Sequence, residues 1–322
     1  MARNKRTRKK PQPQPAQPRA RYASIFPGSI GVARFGGPPA ELVDVVEQLE
    51  AQLRLPVWLL LQDSLDDENS PFRRDSFNML GDYVASAFFD ARHEDLRAGQ
   101  KVALLIDSNG GMARPAYELA MLLRRHCGGF TAVIPRHAKS AATLLSLGAD
   151  EIVMNAHAEL GPLDAQMFDP DREDSMSGLD EVQSLERLHA FAMKAVDEMM
   201  LLMLRRTRKK TKSLLPVVSE FVAKLTQPMF QGVDVVRYTQ MSRALKVASE
   251  YGKRLLRQGY GEDAERIANR LVEDYPEHGF PIYPDEAREL GLRITHPSGE
   301  TSRLLEMVTR HLHGLNLIGR IT

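Results

Sequence analysis

Val102–Asp107 (VALLID), Phe130–Pro135 (FTAVIP) and Asp150–Met154 (DEIVM) are three short apolar runs, and they decide the fold of this 322-residue chain. Runs of this length bounded by turn residues read as buried strands. The first breaks at Ser108-Asn109-Gly110-Gly111, a turn signal. A helical pattern follows, with Ala116, Leu119, Ala120, Leu122 and Leu123 on one side, and it ends near Gly128-Gly129. After the second run come Arg136-His137-Ala138-Lys139-Ser140 and at once a small-residue helix, Ala141–Gly148. A loop, Ala158–Asp164, follows the third. Strand, helix, strand, helix, strand calls for parallel strands joined by right-handed crossovers. The expected fold class is therefore α/β.

The chemistry follows from those junctions. Ser140 falls where a strand ends and a helix starts, so free backbone N–H groups surround it. Such a serine is either a helix cap or a nucleophile held beside oxyanion donors. Gly110-Gly111 ends the neighbouring strand in the same way, and a glycine pair lets backbone approach a ligand closely. Pattern alone leaves both readings open.

The string IDSNGG…ELA…VIPRHAKSAATLLSLGADEIVM…AELGPLDAQ, spanning residues 106–166, resembles the Clp-protease/crotonase superfold. Within it the chain is similar to the serine dehydrogenase proteinase family, relatives of signal peptide peptidase A. That family shows a TPGG-like turn, a SAGT-like serine motif, an ADEIVM strand and LGPxDPQ. Lys194, in AFAMKAVDEMM, sits where the family has a helix lysine. The segment from His278 to Leu292 resembles its H-x-YPI-x-x-EA-x-x-LGL stretch. The resemblance implies a ClpP/crotonase-like sheet with an α-helical C-terminal region, a serine peptidase acting on polypeptides, and self-assembly. It implies no cofactor and no metal. Ser140 carries over as nucleophile, with Gly111, Ala141 and Gly110 around the oxyanion hole. One departure is Asn109, where the family has proline.

A serine hydroxyl needs a base within hydrogen-bond reach. A Clp-type triad places its histidine about 25 residues after the serine. Here that neighbourhood holds Asp164 and no histidine, so a triad in the usual order is not expected. Lys194 lies 54 residues beyond Ser140, within the spacing of a signal-peptide-peptidase dyad, on a helix expected to bury it partly. Burial lowers a lysine pKa, as a lysine base requires. An ordinary snorkelling lysine is the alternative. His278, with Asp164 to orient it, is the second candidate base; it equally suits a turn fixed beside Pro281. His137 and Lys139 are expected only to wall the site.

Outward from this centre, Val57–Gln62 (VWLLLQ) reads as the first core strand and residues 38–53 as an amphipathic helix with Leu42, Val45, Val46, Leu49 and Leu53 on one face. Residues 63–75 form a charged loop in which Arg73, Arg74 and Asp75 are candidate ligand contacts, and residues 75–91 a crossover helix. Residues 167–178 read as an acidic surface loop, and Asp180–Leu204 as a long helix. Its run Met199–Leu204 is far too short to span a bilayer, and no transmembrane helix is expected. Further helices are expected at 213–226, 238–258 and 262–273, and a short one after Pro284. The last 25 residues carry little assignable pattern. The expected division is a tail at 1–21, a core at 22–180, a helical extension at 181–294 and a C-terminal segment at 295–322.

Composition is that of a globular protein, 43% apolar and 26% charged. Net charge is +1, unevenly placed: residues 1–21 hold eight of the 43 basic residues and no acid, leaving 35 against 42 acidic. The body is thus acidic and gives no reason to expect nucleic-acid binding. The tail, basic and Pro/Gln-rich, is expected to be disordered, as a solubiliser or an electrostatic tether to nucleic acid or an anionic membrane. One cysteine, Cys127, excludes an internal disulfide and fits a reducing cytosol. Three classes of function stand from sequence: a cytosolic serine peptidase, a crotonase-type acyl-CoA enzyme, and a silent scaffold of the same fold.

Overall fold

The computed structural model describes residues 23–26, 29–33, 38–62, 79–93, 95–164, 166–169, 174–313 and 315–321. The loop contacts expected of Arg73, Arg74 and Asp75, and the tail at 1–21, lie outside them. In chain order the elements begin β1 (Ala23–Phe26), β2 (Ser29–Ala33), α1 (Ala40–Leu53), β3 (Val57–Gln62), α2 (Asp82–Ala91), β4 (Val102–Ser108), α3 (Ala113–His126) and β5 (Phe130–Ile134). Next come β6 (His137–Ala138), α4 (Ala141–Ser146), β7 (Glu151–Met154), β8 (Glu159–Leu160), β9 (Gln166–Asp169) and β10 (Asp174–Ser177). The chain continues with α5 (Gly178–Thr207), α6 (Thr211–Gln231), α7 (Val235–Tyr260) and α8 (Asp263–Glu273). It closes with α9 (Pro284–Leu290), β11 (Ile294–Thr295), α10 (Gly299–His311) and β12 (Leu315–Arg320).

The main sheet runs β1-β2-β12-β3-β4-β5-β7-β11. From β3 to β11 every neighbour is parallel, as the strand–helix alternation requires. Short β6 continues beside β4 and pairs in turn with β8, both parallel. Every residue of β3 and of β4 is buried, because helices cover both faces. On one face Trp58, Leu60, Leu104 and Ile106 meet α2, α3, α4 and the C-terminal helices. On the other, Val57, Leu59, Leu61 and Leu105 meet Leu42, Val45, Val46 and Leu49 of α1 and Leu304, Leu305 and Val308 of α10.

Three regions differ from expectation. The helix read over 75–91 starts at Asp82, because Gly81 is extended (φ −133°, ψ −176°) and Leu80 is bridged to Gly111. The segment 167–178, expected as a loop, contains an antiparallel pair, β9 with β10; its polar sequence carries no apolar alternation to signal strands. The C-terminal stretch forms α10 and β12, and β12 lies between β2 and β3, antiparallel to both. Among the described residues no helix is long and apolar enough to cross a membrane.

Candidate active site

Strand β4 ends at Ser108, which is completely buried. Its hydroxyl donates to Gln62 Oε1 at 2.7 Å and accepts the Gly110 N–H at 3.0 Å, pinning the turn that follows. Gly110 and Gly111 have φ of +96° and +150°, where side chains are strained. Space excludes them as well. A Cβ on Gly110 would lie 2.5 Å from the Lys139 carbonyl oxygen and 2.9 Å from Ser140 Cβ; one on Gly111 would lie 2.4 Å from the Leu80 oxygen. Gly110 O accepts from Leu80 N (2.8 Å) and Leu80 O from Met112 N (2.7 Å), while the Gly111 N–H has no acceptor among the described residues.

Ser140 sits in the adjoining turn. Its backbone is left-handed (φ +52°, ψ −118°), and its side chain makes no cap bond to α4. A non-glycine residue held there stores of order 1–3 kcal/mol of strain. The surroundings hold it firmly. Lys139 N donates to Ser108 O (2.9 Å), Ala142 N to Lys139 O (2.8 Å), and Leu144 N to Ser140 O (3.0 Å). The Thr143 hydroxyl reaches Ala138 O at 2.6 Å and Gly161 O at 2.9 Å. Ala141 N, like Gly111 N, finds no acceptor among the described residues. The contacts that a Cβ on Gly110 would make with Ser140 Cβ and Ala141 N, both 2.9 Å, show that the two turns touch.

A cavity of about 640 Å³ opens over them. Gly110, Gly111, Ser140, Ala141, Asp164 and His278 all line it. Asp164 is 4% exposed and His278 19%; His278 Nδ1 is hydrogen-bonded to Asp164 Oδ1. The other Asp164 oxygen accepts the Ser177 hydroxyl. Ser177 also caps α5, accepting from Leu179 N (3.1 Å) and Asp180 N (3.3 Å). The pattern Ser177-Gly178-Leu179-Asp180 was available as an N-terminal helix signal, but nothing local ties it to Asp164. The His278 loop is drawn in by the Leu160–Ile282 backbone pair, at 2.9 and 3.0 Å. Met112, Leu144, Leu163, Val247 and Ala248 supply apolar wall. Arg243 of α7 adds a cation at the cavity wall. The Tyr117–Tyr251 ring stack (4.4 Å between centroids) fixes α7 against α3.

Lys194 is not brought to this cavity. It lies on α5 with its side chain 74% exposed, 3.7 Å from Glu198 one turn on. The partial burial expected for it is absent because, of the 30 residues of α5, only Gly178 and Leu179 are buried. His137 is largely buried behind the site, with Nε2 3.7 Å from Asp107 Oδ1. Burial lowers its pKa, outweighing the opposing pull of Asp107. Arg136 grips the same Asp107 carboxylate with two bonds, 2.6 and 3.2 Å. Cys127 is buried, and burial pushes its thiol up to about 11, as befits a small core residue.

Two uncharacterized proteins of Methanocaldococcus jannaschii resemble the chain. MJ1495 is 26% identical over 208 residues, 64% of this chain and 56% of that protein. MJ0137 is 24% identical over 270 residues, 80% of this chain and 79% of that protein. Among solved structures, a mutant of the membrane-bound stomatin-specific protease 1510-N with a substrate peptide aligns with 72% of this chain and 94% of its own. The identity there is 12% and the TM-score 0.27. His278 lies outside the family-matched segment. Residues 95–230, which hold both the Gly110-Gly111 turn and the Ser140 turn, match the family model of the ClpP-like SDH-type serine proteinase, the family that the motifs in this stretch resemble.

Proposed function

We propose that this protein is a cytosolic serine peptidase in which Ser140 is the nucleophile, His278 the general base and Asp164 the residue that orients it. The observation that carries this reading is that Ser140 occupies a strained turn without capping its helix, in the same cavity as an imidazole bonded to a buried carboxylate. With Nδ1 held by Asp164, His278 has Nε2 available to take the Ser140 proton. The oxygen then attacks the scissile carbonyl, and the N–H groups of Gly111 and Ala141 hold the developing oxyanion. Collapse expels the amine, which receives the proton from His278. Water, deprotonated by the same imidazole, releases the acyl group. The apolar walls suit an extended peptide with an apolar side chain beside the cleaved bond.

Self-assembly belongs to the same reading. Phe191, Met193, Leu201, Leu202, Phe221 and Leu225 of α5 and α6 are exposed, and such surface is ordinarily covered. The silent-scaffold alternative leans on Asn109, but the bonds of Ser108 and Leu80 to Gly110 hold the turn without a proline. The test is labelling with a fluorophosphonate. Wild type and Lys194→Ala are expected to label at equal rates, and Ser140→Ala and His278→Ala not to label. Labelling of His278→Ala at the wild-type rate, with loss in Lys194→Ala, overturns the assignment in favour of the lysine dyad. CoA binding by an unlabelled wild-type protein overturns it in favour of the crotonase-type enzyme.

A further inference from the structure

We infer that Lys139, resting on the reading of Ser140 and His278 above, is a positioning residue that sets the imidazole against the serine. Lys139 directly precedes Ser140, and Gly279 directly follows His278. The Lys139 ammonium donates to the Gly279 carbonyl at 3.1 Å. It also pairs with Glu159 Oε1 at 2.8 Å, the two side chains being 14% and 25% exposed. One side chain therefore joins the nucleophile's turn to the turn that carries the base.

The local structure is built around this link. Glu159 stands opposite His137 in the β6–β8 pairing, and the next residue, Leu160, bonds Ile282 in both directions. The lysine stem needs the space left at Gly161, where a Cβ would come within 2.9 Å of Lys139 Cδ. Both partners of the amine, a carboxylate and a carbonyl, are hydrogen-bond acceptors, so the amine serves here as a donor that ties them together. Asp164 holds His278 from its ring, and Lys139 holds the same loop from its backbone. Proton transfer requires the imidazole at hydrogen-bond reach of the hydroxyl, and a displacement of about 1 Å costs on the order of 100-fold.

The experiment uses Lys139→Met, Glu159→Gln and Lys139→Arg in the full chain. It measures the fluorophosphonate labelling rate against pH, kcat and KM on a peptide ester, and the ¹⁵N shifts of the His278 ring. Lys139→Met is expected to lower kcat about 10- to 100-fold with KM changed less than about threefold, to shift the acid limb of the pH profile, and to move the ring shifts. Glu159→Gln is expected to do the same more weakly, and Lys139→Arg to restore most of the rate. An unchanged pH profile with unchanged His278 shifts in both Lys139→Met and Glu159→Gln overturns the inference. A wild-type protein that never labels overturns instead the peptidase reading, while the ring shifts still report whether Lys139 holds His278.

Discussion

The stretch from β4 to β8 and the α5–α6 hairpin are built on opposite terms. Every residue of β4 is buried, and so is every residue of α4. In α5 only the first two residues are, and α6 buries a single stripe, Leu214, Val218, Val222 and Thr226. The comparison teaches where chemistry is possible. Strained turns such as those at Gly110 and Ser140 persist only where the surroundings over-determine them, and the dense half provides that. The hairpin cannot. A lysine on its solvent face, such as Lys194, stays hydrated and reaches only the exposed Glu198 on its own helix.

The sharpest break between the two halves is expected at the serine. Ser140→Ala should abolish hydrolysis, and since the hydroxyl caps nothing, its melting temperature should stay near wild type. A loss of roughly 0.5–2 kcal/mol in thermal unfolding, with activity intact, would restore the helix-cap reading. Next come changes in the dense half that have no room. Gly111→Ala drives a methyl to 2.4 Å from the Leu80 oxygen at φ +150°, and should cost about 2–4 kcal/mol and the activity with it. Wild-type stability in a denaturant titration would refute that geometry.

A matched pair then measures the contrast directly. Leu104→Ala, fully buried in β4, should cost about 2–5 kcal/mol. Phe221→Ala, 50% exposed on α6, should stay within about 0.5 kcal/mol for the isolated monomer. A larger loss for Phe221→Ala that grows with protein concentration would show the hairpin covered by another copy. Lys194→Ala should do least: its exposed pair with Glu198 is worth at most about 0.5 kcal/mol, and turnover should change less than about twofold. The pH profile separates the bases further. An imidazole base gives a rate that is level above about pH 7.5, whereas a lysine base gives one still rising between about 7 and 9.

What the chain determined by itself is its local order. Strands buried on both faces must be continuously apolar, so β3, β4, β5 and β7 were legible as runs, and the glycine pair and Ser140 as the turns between them. The amphipathic helices α1, α7 and α8 were legible by the same periodicity. Tertiary structure alone decided which side chains share a cavity. Asp164 and His278 are 114 residues apart and meet because Leu160 and Ile282 pair across the intervening helices. Lys194 matched by spacing but faces solvent, because a helical stripe does not say whether anything covers it. Lys139 looked like wall because only the fold places Glu159 and Gly279 around its amine. Spacing along a chain reports local geometry; proximity across it is set by how the layers pack.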